Sequence, residues 1–293
     1  MPGGYSYWPG GPAGREGFWG PTTSTLDWCE ENYVISNYVA EFWNSSSNLI
    51  FIGLALFGIK TLNDIHATET RHYLSFWSLI VVAIGSMLFH GTMWYNAQMM
   101  DELPMIYNGC IMLYSGLQLF PSSSSATSSK KRVILSLLFT SYSAAVTGIY
   151  LSYKDPHFLA ASHGILTGSL ALLLPFQIAN FSKRYVELSA TRANGLWRLY
   201  TYTIGSYLVG FGVWSIDNNF CNVLREIRAN LGTPLGFLFE FHVWWHLFAA
   251  MGGYGCITCL VYLRMLALGR KDVVLSWKWQ GALPLLESTL KRD

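Results

Sequence analysis

Charged residues are scarce in this chain of 293 residues. Aspartate, glutamate, lysine and arginine together make up 12% of it, against about 25% in an average soluble domain. Hydrophobic residues make up 52% and aromatic residues 16%, and aromatic rings favour the headgroup regions of a bilayer. This composition excludes an ordinary soluble domain and indicates a membrane protein.

The sequence also lacks the marks of a disulfide framework and of a signal peptide. Its five cysteines are odd in number and lie mostly in apolar segments, so we expect no disulfide framework. Cys256 and Cys259 form a C-x-x-C pair within an apolar run, which favours the lining of a helix face over metal or redox chemistry. Residues 1–25 are rich in glycine and proline without a basic or an apolar signal region, and they predict a flexible tail.

Seven runs are apolar over the roughly 20 residues that a helix needs to cross a bilayer. They lie near residues 34–59, 73–92, 97–119, 133–153, 157–179, 197–217 and 240–265. No domain boundary or internal repeat stands out between them. The sequence therefore predicts an all-α membrane protein, with seven transmembrane helices in one domain over residues 26–267.

Basic residues are divided unequally between the two faces that seven spans define. Four lie on the face of the N-terminus and 15 on the other, which accounts for all 19 lysines and arginines. This bias places the N-terminus in the lumen or outside and the C-terminus in the cytosol. Residues 268–293 are then a basic cytosolic tail with an interfacial amphipathic piece.

Polar residues collect where three spans meet the N-terminal face. The stretch SMLFHGTMWYNAQMMDE ends the second span and begins the third, and FEFHVWWHLFAAMG begins the seventh. His242 and His246 are about one helical turn apart, and with His90 they offer three nitrogen ligands, enough for Zn²⁺ with an open fourth position. Interfacial or hydrogen-bonded histidines are the alternative, and the residues alone leave the two interpretations equal.

Asp101 and Ser86 have natural roles beside such a metal. A carboxylate there accepts the proton of an attacking water and later passes it to a leaving amine, and a serine hydroxyl donates to the oxyanion that forms on the carbonyl. A salt-bridged or water-exposed loop residue is the alternative for Asp101. Glu102 falls on a different helix face, and we assign it to that second class. His157 and His163 begin the fifth span on the same side without an evident partner.

An acidic segment, LDWCEENYVISNYVAEFWN, precedes the first span. It places Asp27, Glu30, Glu31, Asn32 and Glu41 within fifteen residues. Clustered oxygen ligands suit Ca²⁺, although the spacing is not that of an EF-hand loop. Spacing alone favours a solvated acidic segment.

Five blocks of the sequence resemble the alkaline ceramidases, a seven-helix family of intramembrane amidases related to the adiponectin receptors. The blocks extend from about residue 24 to residue 265, and they are STLDWCEENY, AEFWNSSSNLIFI, GSMLFHGTMWYNAQMMDELPMIY, WSIDNNFC and FHVWWHLFAA.

The resemblance implies a role for each matching position. It implies zinc ligands at His90, His242 and His246, an active-site serine at Ser86 and a catalytic aspartate at Asp101. It also reverses the interpretation of the acidic segment, because the family holds a structural or regulatory Ca²⁺ there. The implied calcium ligands are Asp27, the backbone carbonyl of Trp28, Glu30, Asn32 and Glu41.

The reaction that the resemblance implies is zinc-dependent hydrolysis of the amide bond of ceramide or phytoceramide, in the membrane of the endoplasmic reticulum or Golgi. Its products are a sphingoid base and a free fatty acid. Membrane lipids are expected partners, and no nucleic acid is expected. The alternatives are a receptor or regulatory member of the same superfamily with slow or no hydrolysis, a lipid-remodelling factor and a seven-helix transporter. The acidic segment favours the ceramidases over the receptors, and the histidines argue against a transporter.

Overall fold

Helices form most of the part of the chain that the structure describes, which in this computed structural model is residues 16–120, 125–184, 190–232 and 234–290. Residues 1–15 and 291–293 of the two predicted tails lie outside it. The helices are α1 (Phe42–Ser47), α2 (Leu49–Asp64), α3 (Thr70–Thr92), α4 (Tyr95–Leu117), α5 (Ser125–Tyr153), α6 (Pro156–Arg184), α7 (Ala190–Asn219), α8 (Cys221–Leu231) and α9 (Phe241–Ala267). A 3₁₀ turn, Leu235–Phe239, precedes α9.

Five helical segments of the described residues are long and apolar enough to cross a membrane. They are Phe42–Asp64, Thr70–Thr92, Ser129–Tyr153, Pro156–Phe181 and Phe241–Ala267, which fall on the predicted first, second, fourth, fifth and seventh spans. Helices α4 and α7, of 23 and 30 residues, occupy the places of the third and sixth spans but carry more polar residues. The chain is thus a mostly helical membrane protein, and the count of seven spans stays a prediction.

A close approach of α3 and α4 sets the level of the polar residues on both helices. Met93 adopts a left-handed conformation (φ 54°) that ends α3, and α4 begins two residues later, at Tyr95. Gly85 lies directly against the backbone of α4, because a Cβ atom at this position would overlap the carbonyl group of Met100. The next residue on each helix, Ser86 and Asp101, is therefore brought to the same level.

Helix α9 runs through the centre of the bundle. Of its most apolar stretch of 18 residues, 83% is buried inside the protein. The helices that contact α9 include α2, α3, α4, α6 and α7. Cys256 and Cys259 are free thiols buried on this helix, which agrees with their assignment to a helix face. Because this helix is packed against its neighbours along its length, the side chains of its first turns are held in a fixed position.

The segment after α9 forms a hairpin, and the place of this segment at the membrane interface stays a prediction. Strand β1 (Val273–Lys278) pairs antiparallel with β2 (Leu283–Ser288). Val273, Leu283 and Leu286 are buried against the helices, and Tyr254 donates a hydrogen bond to the carbonyl of Pro284 (2.8 Å). The two short paired strands bury part of their apolar surface against α2 and α9.

A disulfide joins Cys29, in the segment before α1, to Cys221 at the start of α8. The sequence predicts no disulfide framework, and this single pair was not anticipated from it. Arg228 reinforces the contact, since it donates to the Cys29 carbonyl (2.7 Å) and forms ion pairs with Glu31 (2.8 Å) and Glu240 (3.2 Å). Both cysteines belong to the face that the basic residues predict to be non-cytosolic, where disulfides persist. Because the two cysteines are 192 residues apart in the sequence, no local pattern indicates that they pair.

Removing this bond should lower stability by about 2 to 5 kcal/mol, because the unfolded chain then gains conformational freedom. The measurement is thermal unfolding of the purified protein in detergent, with and without a reductant. The wild type should lose stability in reductant, and the Cys29→Ser, Cys221→Ser double variant should not change further. Cys110→Ser, which alters a buried free thiol, is the control and should respond as the wild type does. An unchanged wild type, with its reduction verified by mass spectrometry, would contradict the prediction.

Candidate functional site

The side chains of His90, His242 and His246 meet inside the bundle. Each offers one ring nitrogen, and these three nitrogens all lie within 4.8 Å of one another. Helix α3 supplies His90 from its last turn, and α9 supplies the other two from its first two turns. All three residues are buried. Within the described ranges no other group of histidine, cysteine or acidic side chains converges in this way, so the structure brings together the trio that the sequence nominates.

Hydrogen bonds orient two of the three rings. His90 Nδ1 lies 2.5 Å from the carboxylate of Glu41, and His246 Nδ1 lies 2.7 Å from the hydroxyl of Ser47. Histidines that bind metals usually donate their second ring N–H to a carboxylate or another polar group, and these bonds leave Nε2 of both rings for a metal. Nδ1 of His242 is buried without a hydrogen-bond partner, and this donor set fits a zinc ion.

Ser86 and Asp101 form a second pair next to the histidines. The Ser86 hydroxyl lies beside the Asp101 carboxyl group, where it is able to donate to a carboxylate oxygen. Both residues line the cavity that His242 and His246 also line. A carboxyl group and a hydroxyl group therefore share one space with the imidazole rings.

This cavity has a volume of about 740 Å³ and lies among α3, α4, α6, α7 and α9. Its volume is in the range of pockets that hold a small organic molecule. Polar side chains gather at the end where α9 begins, and the remaining wall is largely apolar. The arrangement suits a molecule with one polar group and long apolar parts.

Glu102 is buried, and its assignment to the exposed or salt-bridged class is wrong. Its carboxylate accepts hydrogen bonds from the Tyr150 hydroxyl (2.5 Å) and the Gln98 amide (3.0 Å), and the Gln98 side-chain oxygen accepts from Thr25 N–H (2.8 Å). Helix α4 begins earlier than expected, so Glu102 lies two turns inside it and α5 covers it. This network ties α5 and the segment before α1 to α4, beside Asp101.

Two side chains that the sequence does not nominate for the histidine cluster also belong to the site. Ser47 orients His246, and the Trp28 ring lies over His242 with 4.2 Å between ring centroids. The polar run NSSSN at the start of an apolar span is the signal that could have marked Ser47. His157 and His163, which have no evident partner in the sequence, line the cavity from α6.

The acidic segment is folded and buried, in contrast to the solvated segment that its spacing favours. Asp27, Glu30, Asn32 and Glu41 are each at most 9% exposed. Asn32 donates to Asp27 (3.1 Å) through its amide nitrogen, while its side-chain oxygen is buried without a partner. Trp28 lies among them and donates its backbone N–H to Glu41 (3.1 Å).

The electrostatics of this segment fit a cation. Burial, and after it the negative charge of Glu41, raises the pKa of Asp27 to about 7 and that of Glu30 to about 8. Carboxylates that are buried together resist ionisation unless a positive charge lies between them. Oxygen donors from carboxylates and an amide are the ligands that Ca²⁺ prefers, so the residues present fit calcium.

The chain is similar to known proteins along most of its length. A model of the ceramidase family matches residues 20–287. Alkaline ceramidase 3 of Mus musculus is 41% identical over 257 residues, which cover 87% of this chain and 89% of that protein. Alkaline ceramidase YPC1 of Saccharomyces cerevisiae is 33% identical over 274 residues (90% and 84%), and an alkaline ceramidase of Arabidopsis thaliana is 32% identical over 252 residues (86% and 88%). Because the match covers every element that carries the site, the chain belongs to the ceramidase family.

Proposed function

We propose that this protein hydrolyses the N-acyl bond of ceramide or phytoceramide within the bilayer, with zinc as its catalytic cofactor. The products are a sphingoid base and a free fatty acid. Membership of the ceramidase family supports ceramide hydrolysis. The observation that carries the zinc-dependent mechanism is the meeting of three buried histidines with Ser86 and Asp101 at the polar end of one cavity.

His90, His242 and His246 are the residues that would hold the zinc ion. When bound, zinc polarises an amide carbonyl and lowers the pKa of a water molecule. Glu41 and Ser47 keep two of the rings in the required orientation through their Nδ1 atoms. Three protein ligands leave one coordination position open, as catalytic zinc sites do.

Asp101 and Ser86 handle the proton and the developing charge. A carboxylate oxygen of Asp101 accepts the proton of the attacking water, and the same group donates it to the amide nitrogen as the C–N bond breaks. The Ser86 hydroxyl turns from Asp101 to the carbonyl oxygen, where negative charge develops. The surrounding apolar wall keeps other water away and so strengthens both interactions.

The position of the site inside the bundle suits a substrate that stays in the membrane. An amide with two long alkyl tails partitions into lipid, because each buried methylene contributes about 0.8 kcal/mol. Five helical segments that are able to span a bilayer surround or border the site. We infer a seven-span protein of the endoplasmic reticulum or Golgi membrane, with the site near the lumenal face and calcium in a structural or regulatory role.

Zinc dependence is tested with the histidines of α9. Purified protein should contain about one zinc per chain and release fatty acid from ceramide, while the His242→Ala, His246→Ala double variant should lose both zinc and activity. Zinc is measured by elemental analysis and fatty acid by mass spectrometry. His66→Ala, in an exposed turn, is the control and should retain both. Full amidase activity in the double variant would overturn the zinc mechanism, and zinc-loaded protein without hydrolysis would favour a regulatory role.

The proton-transfer role is tested at Asp101. Asp101→Asn should retain zinc and lose activity by roughly 100-fold or more, which is the usual contribution of a positioned acid–base group. Asp155→Asn changes an exposed carboxyl group outside the site and should behave as the wild type. Unchanged turnover in Asp101→Asn would remove the general-base assignment.

The calcium proposal predicts a linkage between calcium and stability. A calcium-selective chelator should lower the unfolding temperature or the activity, because a ligand at 100 times its Kd stabilises the folded state by about 2.7 kcal/mol. The Asp27→Asn, Glu30→Gln double variant should be less stable and should no longer respond to the chelator. Indifference of the wild type to calcium over a wide concentration range would return the acidic segment to a purely structural role.

A further inference from the structure

The cavity extends well beyond the polar end, and its depth is given by the lining residues of α4, α6, α7 and α9. Along α4, Met112 lies about 16 Å beyond Asp101, and along α9, Cys256 lies about 15 Å beyond His246, at a rise of 1.5 Å per residue. All four residues line the same cavity, as do Thr203 of α7 and Leu174 of α6. The far end is therefore a long way from the reacting groups.

This far end is closed and apolar. Met112, Leu174, Thr203 and Cys256 are each at most 3% exposed, and the Thr203 hydroxyl is already bonded to the carbonyl of Leu199 (2.9 Å). We call these four residues the floor. Apart from that hydroxyl they offer sulfur and hydrocarbon atoms and no charge, so the floor suits the end of an alkyl tail.

A tight helix contact lies directly beyond the floor. Gly116, one turn further along α4, faces α6 and α9, and a Cβ atom added there would come within 2.8 Å of Leu173 and 3.4 Å of Leu260. Gln177 of α6 donates to the Gly116 carbonyl (3.2 Å). These contacts leave no passage past Met112 between the three helices.

The side of the cavity between α6 and α7 is different. Its lining residues there include Gly164, Gly168, Leu208 and Phe211, and all four are exposed. No atom lies within 4 Å of a Cβ atom built on either glycine. A second alkyl tail can leave by this side, where nothing limits its length.

We propose that the floor takes one of the two alkyl tails of the substrate and sets the longest tail that the enzyme accepts. This inference rests on the ceramide hydrolysis proposed above. A tail that just reaches Met112 and Cys256 buries all its methylenes, whereas a longer tail must displace packed side chains or pull the amide away from Ser86 and Asp101. Hydrophobic pockets discriminate by roughly 10- to 200-fold per methylene, and overpacking an interior adds a further penalty.

Two ceramide series identify the tail. One series varies the acyl chain on a constant sphingoid base, and the other varies the base on a constant acyl chain. Full-length protein is assayed in detergent micelles, and kcat/KM is compared along each series. In one series we expect kcat/KM to fall steeply, by roughly tenfold per methylene, beyond a limiting length. In the other series we expect kcat/KM to depend only weakly on length, and that series varies the tail that leaves between α6 and α7.

Floor variants should move that limit in opposite directions. Met112→Ala deepens the cavity and should raise kcat/KM for tails beyond the limit by tenfold or more, while Cys256→Met fills it and should lower kcat/KM for tails at the limit by a similar factor. Met265→Ala and Cys259→Met make the same changes at buried positions of α9 that do not line the cavity, and they should leave the limit unchanged. Met112→Val is the milder substitute if Met112→Ala does not fold, as judged by thermal unfolding.

The outcomes separate this inference from the function on which it rests. If the limiting length is unchanged in folded floor variants, or shifts equally in both series, the floor does not set the length of one tail. Either result would leave ceramide hydrolysis intact. Absence of hydrolysis for every ceramide would overturn the proposed function. In that case equilibrium binding of the same two series, followed by tryptophan fluorescence, still reports the limit, because binding depends on the floor and not on turnover.

Discussion

The carboxylate of Glu41 joins three parts of the molecule at the N-terminal end of the bundle. One oxygen accepts the backbone N–H of Trp28, and the other accepts from the Asn44 amide and lies against His90 Nδ1. Glu41 is fully buried, and a buried carboxylate is tolerated only when its oxygens are satisfied. The acidic segment, the start of the first span and the ring of His90 therefore have to assemble together.

Covalent and ionic contacts outside the histidine cluster also stabilise this end of the molecule. The Cys29–Cys221 disulfide and the ion pairs of Arg228 hold α8 and the start of α9 against the acidic segment. Glu30 contributes from the inside, since its carboxylate accepts the backbone N–H groups of Trp43 and Asn44, both at 2.7 Å, at the start of α1. A metal site needs ligands whose orientation is set by their surroundings, and these contacts supply that rigidity without relying on the membrane.

The remainder of the cavity serves a different physical purpose. Cleavage of an amide at the polar end requires that the rest of the substrate is held in place. Alkyl tails are held by their burial and by the shape of the wall around them. A closed apolar end and an open side between α6 and α7 give the two tails different surroundings. Under the proposed function, the wall that binds the tails is also the part that discriminates between substrates, because the reacting groups are common to all of them.

Much of the site follows from local patterns in the sequence. The i and i+4 spacing of His242 and His246 defines one helix face, and the alternation of spans places His90 and Asp101 on the same side. The assignment failed where neighbours come from distant parts of the chain. Glu102 looked exposed because Tyr150, which covers it, lies on another helix. The hairpin of residues 273–288 likewise depends on a helix surface that no local pattern reveals.

By itself, the amino-acid sequence determined the membrane character, the helical spans and the residue types at the site, because hydropathy and helical periodicity are properties of short segments. Only the tertiary structure decided that Glu41 and Ser47 orient the histidine rings, that Cys29 pairs with Cys221 and that Met112 and Cys256 close the cavity. These contacts depend on how closely helices approach, and at Gly85 and Gly116 that approach is set by the absence of a side chain. Distances between segments far apart in sequence are therefore decided by packing, which the local pattern does not contain.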